Sequence, residues 1–246
     1  DALTYAVHPK SLAAVEGHPR YRFIQGNILD QPLVEKLLLE EEIDALVHFA
    51  AESHVDRSIA SAAPFAETNI LGTLSLLEAV RKFPAVHFHH VSTDEVYGSL
   101  GESGTFSELS PYRPNSPYSA SKAASDHFVR AYAHTYGLST TLSHCSNNYG
   151  PYQHREKLIP RMILNAVERK PLPVYGRGAN VRDWLHVEDH VDGLWRILSL
   201  GKRGEVYDFG GGEELSNLEL VEQLLELIAQ KLPSEHFDYR TLIRFV

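Results

Sequence analysis

Cysteine is almost absent: Cys145 is the sole thiol in 246 residues, so no intrachain disulfide can form and the usage fits a reducing compartment. Positive charge is also scarce. The chain has 23 Lys and Arg against 32 Asp and Glu, a net charge of −9, and the lack of any basic run argues against nucleic acid as a partner. No apolar stretch is long enough to span a bilayer and no signal-peptide pattern is found, which leaves no membrane partner and makes the cytoplasm the default compartment. Internal repeats and low-complexity tracts are missing too. What is present is enough apolar material, 43% of the residues, to bury a full core.

Runs rich in β-formers predict strands near Tyr21 to Gln25, Ala45 to Phe49, Val86 to Ser92, Ser139 to His144 and Val206 to Phe209. Helical patterns separate them, among them Leu33 to Glu41, Phe65 to Phe83 and Ser116 to Tyr136. Such alternation predicts α/β architecture with a parallel sheet. A capping-box spacing at Ser216-Asn-Leu-Glu219 starts a further helix.

Chemistry concentrates at Ser92-Thr93-Asp94-Glu95-Val96-Tyr97-Gly98 and at Tyr118-Ser-Ala-Ser-Lys122. Thr93, Asp94 and Glu95 follow a predicted buried strand, and the carboxyl edge of an open α/β sheet is where ligands bind. Tyr118 and Lys122 are four apart on a predicted helix and so share a face. An ammonium beside a phenol favours the phenolate, so the spacing predicts a lowered Tyr118 pKa and a base near neutral pH. His87 and His89 also share a strand face. With no Cys or acid at ligand spacing they read as packed or hydrogen-bonded strand residues, and no metal is assigned.

Several segments together carry a resemblance: Asp1-Ala-Leu-Thr-Tyr5, His48-Phe-Ala-Ala-Glu-Ser-His-Val-Asp-Arg57, Thr68-Asn69, Thr93-Asp94-Glu95, Tyr118 with Lys122, Asn147-Asn-Tyr-Gly-Pro151, Lys157-Leu-Ile-Pro160, Pro173-Val-Tyr-Gly176 and Arg182-Asp-Trp184. Over essentially its whole length the chain resembles the extended short-chain dehydrogenase/reductase superfamily and, within it, the dTDP-glucose 4,6-dehydratases. Tyr-x-x-x-Lys marks only the superfamily, whereas the Thr-Asp-Glu triplet marks the dehydratases among nucleotide-sugar enzymes.

The resemblance implies a doubly wound, Rossmann-like parallel sheet, with an incomplete NAD-binding portion over residues 1–150 and a smaller, incomplete substrate lobe over 151–246 from which the chain crosses back; it also implies a homodimer, NAD as cofactor and dTDP-glucose as substrate. It implies a lyase: transient oxidation at carbon 4 with Tyr118 as base, proton removal from carbon 5 by Glu95, protonation of the departing carbon 6 hydroxyl by Asp94, and return of the hydride to carbon 6. Thr93 would align the sugar and Lys122 assist Tyr118. The implied NAD contacts are Asp1, Ala2, Leu3, Thr4, Asn27, Ile28, Phe49, Ala50, Ala51, Ser53, Thr68, Tyr118, Lys122 and Asn148. Asn27 stands where the family has Asp, keeping an acceptor but losing the charge. The implied substrate contacts are Ser53, Thr93, Asn147, Lys157, Leu158, Pro173, Val174, Tyr175, Arg182 and Asn217.

Relatives carry a Gly-rich turn and two strands ahead of the position of Asp1, and an Asp-Arg-Pro-Gly-His stretch beyond Val246; neither is found here, so the chain reads as a piece truncated at both ends. Two other readings stay open. A nucleotide-sugar 4-epimerase would share Thr93, Tyr118 and Lys122 without needing the Asp94 and Glu95 pair, and a non-catalytic fragment would need none of them.

Overall fold

A computed structural model describes residues 1–8, 10–101, 103–233 and 237–246. In chain order its elements are α1 (Gln31–Glu40), β1 (Ala45–His48), α2 (Val55–Ala60), α3 (Ala63–Phe65), a π-helical stretch (Ala66–Gly72), α4 (Thr73–Arg81) and β2 (His87–Thr93). A 3-10 turn (Asp94–Tyr97) follows, then α5 (Pro117–Tyr136), β3 (Thr140–Cys145), β4 (Asn147–Tyr149), α6 (Leu158–Val167), β5 (Leu172–Val174) and β6 (Val181–His186). The remainder is α7 (Val187–Leu200), β7 (Val206–Phe209), β8 (Glu214–Ser216), α8 (Asn217–Lys231), a second 3-10 turn (Tyr239–Leu242) and β9 (Ile243–Phe245). Among the described residues no helix is long and apolar enough to cross a membrane.

The chain forms two compact units, each built from separate segments. The first comprises 1–3, 19–146 and 190–209, the second 4–18, 147–189 and 210–246.

In the first unit, β1, β2, β3 and β7 form a parallel sheet in that order, with Leu46 beside Phe88, Phe88 beside Thr140 and Leu142 beside Val206. Phe88 and Leu142 pack with Leu76, Leu77 and Val80 of α4 and with Val129 and Tyr132 of α5. Each such side chain contributes about 1.5–3 kcal/mol relative to an exposed one. The sheet also buries polar residues. His87 bridges Ser139 and Thr141 at 2.8 Å each, and His89 bridges Thr141 at 2.8 Å and Ser143 at 3.1 Å. These are hydrogen-bonded strand histidines. Burial, followed by the neighbouring His90 and His87, lowers the His89 pKa to about 3, which keeps it neutral.

One expected strand is not assigned. Near Tyr21 to Gln25 the backbone bonds, among the described residues, only to Asp1, whose nitrogen donates to the Ile24 carbonyl at 3.1 Å and whose carbonyl accepts from the adjoining Gly26 at 3.0 Å. Two bonds to a single residue do not make a ladder. The expected continuous helix from Phe65 to Phe83 also differs, because Ala66–Gly72 is π-helical. A Cβ at Gly72 would collide with the Ile28 side chain, so the small residue there permits the close approach of the two.

In the second unit, β4, β6 and β8 form one sheet and β5 pairs with β9 in another. Helix α8 begins with the predicted capping box, Ser216 Oγ accepting from the Glu219 N–H at 3.2 Å and Glu219 Oε2 accepting from the Ser216 N–H at 2.8 Å. Its Val221, Leu225 and Ile228 pack on Met162, Leu172 and Val174. The loop before β8 lies close against β6: Asp183 accepts from the Gly211 N–H at 2.7 Å and the Glu213 N–H at 3.1 Å, and a Cβ at Gly211 would overlap the Trp184 carbonyl. Gly211→Ala is therefore expected to cost about 1–3 kcal/mol of stability. Urea unfolding of the variant beside the parent chain measures this, and an unchanged midpoint would remove the steric argument.

Candidate active site

Local sequence positions the reactive groups of the first unit. Ser116 caps α5, its hydroxyl accepting from the Ser119 N–H at 3.0 Å while Ser119 Oγ accepts from the Ser116 N–H at 3.1 Å. Pro117 suits the first helical position, and Gly137, at φ 69°, ends the helix in the left-handed region. Between these ends, Tyr118, Lys122, Asp126 and Val129 lie in one buried row. A second cap acts at the end of β2, where Thr93 Oγ1 accepts from the Glu95 N–H at 3.3 Å and so folds Asp94–Tyr97 into its turn. Gly98, at φ 92°, leaves that turn against the Arg113 backbone, where no Cβ would fit.

These caps bring Thr93, Asp94, Glu95, Tyr118 and Lys122 to the carboxyl end of β2. Thr93 Oγ1 also donates to Asp94 Oδ1 at 3.3 Å, and its hydroxyl hydrogen-bonds the Tyr118 phenol. The Tyr118 N–H donates to Ser58 Oγ at 3.1 Å, fixing the start of α5 on α2.

The electrostatics correct one expectation. Burial, then the charge on Glu95, pushes the Tyr118 pKa upward from its ordinary value, and only the Thr93 hydrogen bond opposes this. Lys122 is buried, its pKa lowered by that burial, and its ammonium donates to the Val91 carbonyl at 2.8 Å. The spacing of four does set both side chains on one face. Depth beneath the surface and two adjacent carboxyls outweigh the lysine in setting the phenol's titration.

Four of the expected cofactor residues lie just beyond the carboxyl end of β1. Phe49, Ala50, Ala51 and Ser53 follow β1, and Phe49 is 59% exposed. Asn69 shapes this segment: its Oδ1 accepts from the Glu52 N–H at 2.8 Å, and its Nδ2 donates to the Glu52 carbonyl at 3.0 Å and to Ser121 Oγ at 2.8 Å. Its neighbour Thr68 is half-buried in the π-helical stretch. Asp1 is exposed, one carboxylate oxygen accepting from the Leu3 N–H at 2.6 Å, with Ala2 between. Asn27 Oδ1 accepts from the Leu29 N–H at 3.0 Å, and the Ile28 side chain packs into the core.

These residues fit NAD. An exposed aromatic edge beside two small residues suits a planar ring system, and a buried ammonium with donors beyond the one given to Val91 suits ribose hydroxyls. Asn69→Ala strips three hydrogen bonds from this wall and is expected to cost about 1–3 kcal/mol. Chemical unfolding measures it, and a loss below a few tenths of a kcal/mol would show the clamp to be dispensable.

The second unit holds the other expected contacts. Thr4 is exposed, Asn147 and Asn148 are in β4, and Lys157 precedes α6, which opens with Leu158. Pro173 and Val174 belong to β5, Val174 being 3% exposed with its side chain in the core, and Tyr175 follows, 63% exposed. Arg182 is exposed on β6, and Asn217 starts α8, half-buried.

Sequence reasoning missed a buried group beneath the acidic turn: Tyr97, Tyr112, Asp126, His144 and Asp208. Asp126 carried a signal, since it continues the Tyr118 and Lys122 spacing by four. Nothing in spacing joins it to His144 or Asp208. Among the described residues no cluster of His, Cys, Asp and Glu is arranged to hold a metal ion.

A parallel sheet with a buried tyrosine and lysine one turn apart at its carboxyl edge, and an exposed aromatic with small residues following β1, fits an enzyme of the extended short-chain dehydrogenase/reductase class. The model of the GDP-mannose 4,6 dehydratase family matches residues 2–240. The chain is 53% identical over 244 residues to the dTDP-glucose 4,6-dehydratase of Xanthomonas campestris pv. campestris, covering 96% of this chain and 70% of that protein. Among solved structures, a dTDP-glucose 4,6-dehydratase from Streptomyces venezuelae with NAD bound superposes with a TM-score of 0.92 at 49% identity, covering all of this chain and 73% of that one. A UDP-glucuronic acid 4-epimerase from Bacillus cereus, in complex with UDP-glucuronic acid and NAD, is less similar, with a TM-score of 0.84 at 30% identity over 96% of this chain and 71% of that one. The chain belongs to the dTDP-glucose 4,6-dehydratase family.

Proposed function

We propose that this chain is a hydro-lyase that converts dTDP-glucose to the 4-keto-6-deoxy sugar nucleotide, with Thr93, Asp94, Glu95, Tyr118 and Lys122 as its catalytic residues. The observation that carries this reading is the acidic turn: Asp94 and Glu95 sit beside Tyr118, where an epimerase needs no such pair. NAD, when bound, supplies a hydride acceptor for carbon 4 and a donor for carbon 6.

Tyr118 takes the proton of the 4-hydroxyl, aided by the Thr93 hydrogen bond. The resulting ketone acidifies the carbon 5 hydrogen, which Glu95 removes and later returns to that carbon. Asp94, protonated, gives its proton to the carbon 6 oxygen, which leaves as water. The two carboxyls thus act in opposite protonation states. After one turnover Tyr118 holds a proton that Asp94 lacks, and Thr93, hydrogen-bonded to both, lies on the path that resets them.

The cofactor shell in this reading is Asp1 to Thr4, Asn27, Ile28, Phe49 to Ala51, Ser53, Thr68, Tyr118, Lys122 and Asn148. Ser53, Thr93, Asn147, Lys157, Leu158, Pro173 to Tyr175, Arg182 and Asn217 take the sugar nucleotide, the two cations answering its diphosphate. A cytoplasmic homodimer belongs to the same proposal. The family resemblance and the exposed Leu71 and Phe128, beside and on the long helices, support the dimer.

Incubation of the NAD-loaded protein with dTDP-glucose is expected to give a product lighter by one water with no net consumption of NAD. Mass spectrometry and NMR read the product. Unchanged mass with inversion at carbon 4 would establish an epimerase instead.

A further inference from the structure

Beneath the acidic turn lies a cluster of ionisable groups that the proposed chemistry leaves unused. His144 on β3 is 1% exposed, and each ring nitrogen faces a carboxylate: Nδ1 is 2.9 Å from Asp208 Oδ1 on β7, and Nε2 is 3.1 Å from Asp126 Oδ2 on α5. An ionised carboxylate can only accept, so the geometry suits a ring with a hydrogen on each nitrogen, an imidazolium donating to both sides. Two phenols complete the cluster. Tyr97 donates to both Asp208 oxygens at 2.9 and 3.1 Å, Tyr112 donates to Asp126 Oδ2 at 3.0 Å, and the two hydroxyl oxygens lie 2.9 Å and 2.8 Å from His144 Nδ1 and Nε2.

The surroundings agree with this charge state. Burial alone would lower the His144 pKa, but its hydrogen bonds to Asp126 and then Asp208 outweigh burial, so the net shift is upward. Burial alone would raise Asp126, but the hydrogen bond from His144, with the His90 ring close by, holds its carboxyl well below the usual carboxylate range. Other charged or titratable groups face the cluster from each packed element. On β2, His90 Nε2 is 3.3 Å from Asp126 Oδ1, and burial followed by the charge on Lys122 takes its pKa to about 4, so it is neutral. On α5, Arg130 stacks over the Tyr112 ring at 5.3 Å, and the His127 ring lies 5.2 Å from it. From the segment after the turn, Glu108 Oε1 accepts from the Asp208 N–H at 3.3 Å.

The attachment points give the cluster its meaning. Tyr97 is the last residue of the turn that carries Asp94 and Glu95, and Asp126 stands one helical turn beyond Lys122 and two beyond Tyr118. We propose that His144 is a positioning residue, its imidazolium holding Tyr97 and Asp126 together so that the eliminating carboxyls keep register with the oxidising tyrosine. The inference rests on the dehydratase reading and adds the device that aligns its two steps. The sign follows from the raised pKa: the tie is complete below the ordinary imidazole value of about 6.5 and is lost as pH rises through the higher value of the folded chain.

The test uses the complete NAD-loaded enzyme and two variants. Tyr97→Phe keeps the ring stacked on Phe106 at 5.2 Å and removes only the hydroxyl, while His144→Gln removes the charge. For Tyr97→Phe, kcat is expected to fall about 10- to 100-fold with KM for dTDP-glucose nearly unchanged, because a shifted turn misplaces Glu95 in the transition state. Enzyme-bound reduced nicotinamide should then accumulate, since carbon 4 is still oxidised while carbon 5 deprotonation lags. Uniform slowing with no accumulation would overturn the positioning role. Nitrogen-15 NMR of the parent supplies a readout independent of turnover: His144 should keep hydrogens on both ring nitrogens at about pH 8, above the ordinary value. A neutral His144 ring there would overturn the bridge even if His144→Gln proved too unstable to assay. Failure of the parent to dehydrate dTDP-glucose would instead refute the activity, leaving the NMR result to judge the bridge.

Discussion

Glu95→Gln is expected to slow exchange of the carbon 5 hydrogen with solvent deuterium by about 10²–10⁴-fold, the ordinary cost of losing a general base, while carbon 4 oxidation persists. The structure adds a second consequence. After burial, the charge on Glu95 is the largest influence raising the Tyr118 pKa, so its removal should let the phenol ionise at lower pH. The pH limb of the oxidation step, read from single-turnover formation of reduced nicotinamide, should therefore move downward in Glu95→Gln. Unaltered deuterium uptake would take Glu95 out of the mechanism. Normal loss of uptake with an unmoved limb would leave its role as base intact and refute the electrostatic coupling.

Tyr118→Phe should lose carbon 4 oxidation by about 10²–10⁴-fold and should not recover at any pH, because no phenolate can form. In the parent, the same step should accelerate with rising pH, since the base form of a phenol with a raised pKa is the minor species at neutrality. Folding of the variant is checked by its unfolding midpoint, a necessary control because Tyr118 is buried against Phe65, ring centroids 6.4 Å apart. A Tyr118→Phe enzyme that retained a pH-dependent oxidation step would identify another group as the base, and Thr93 or Lys122 would be the next to replace.

The amino-acid sequence by itself determined the local elements and their reactive ends. Alternating β-formers set four parallel strands, the spacing of four placed Tyr118 and Lys122 on one helical face, and the Ser216 and Glu219 pair marked the start of α8. These are short-range effects, in which the groups that interact are within a turn or two of one another. The family was legible for the same reason, since its marks are contiguous segments. Tertiary structure decided the rest. It left the segment from Tyr21 to Gln25 without a strand ladder, widened the Phe65 to Phe83 helix into a π turn where Ile28 meets Gly72, and buried the Val174 side chain. It also set the protonation chemistry. Whether Tyr118 titrates above or below its ordinary value depends on burial and on which charges are nearest, and no spacing encodes either. The His144 bridge joins residues 18 and 64 positions away in the chain, which only folding brings within hydrogen-bond distance.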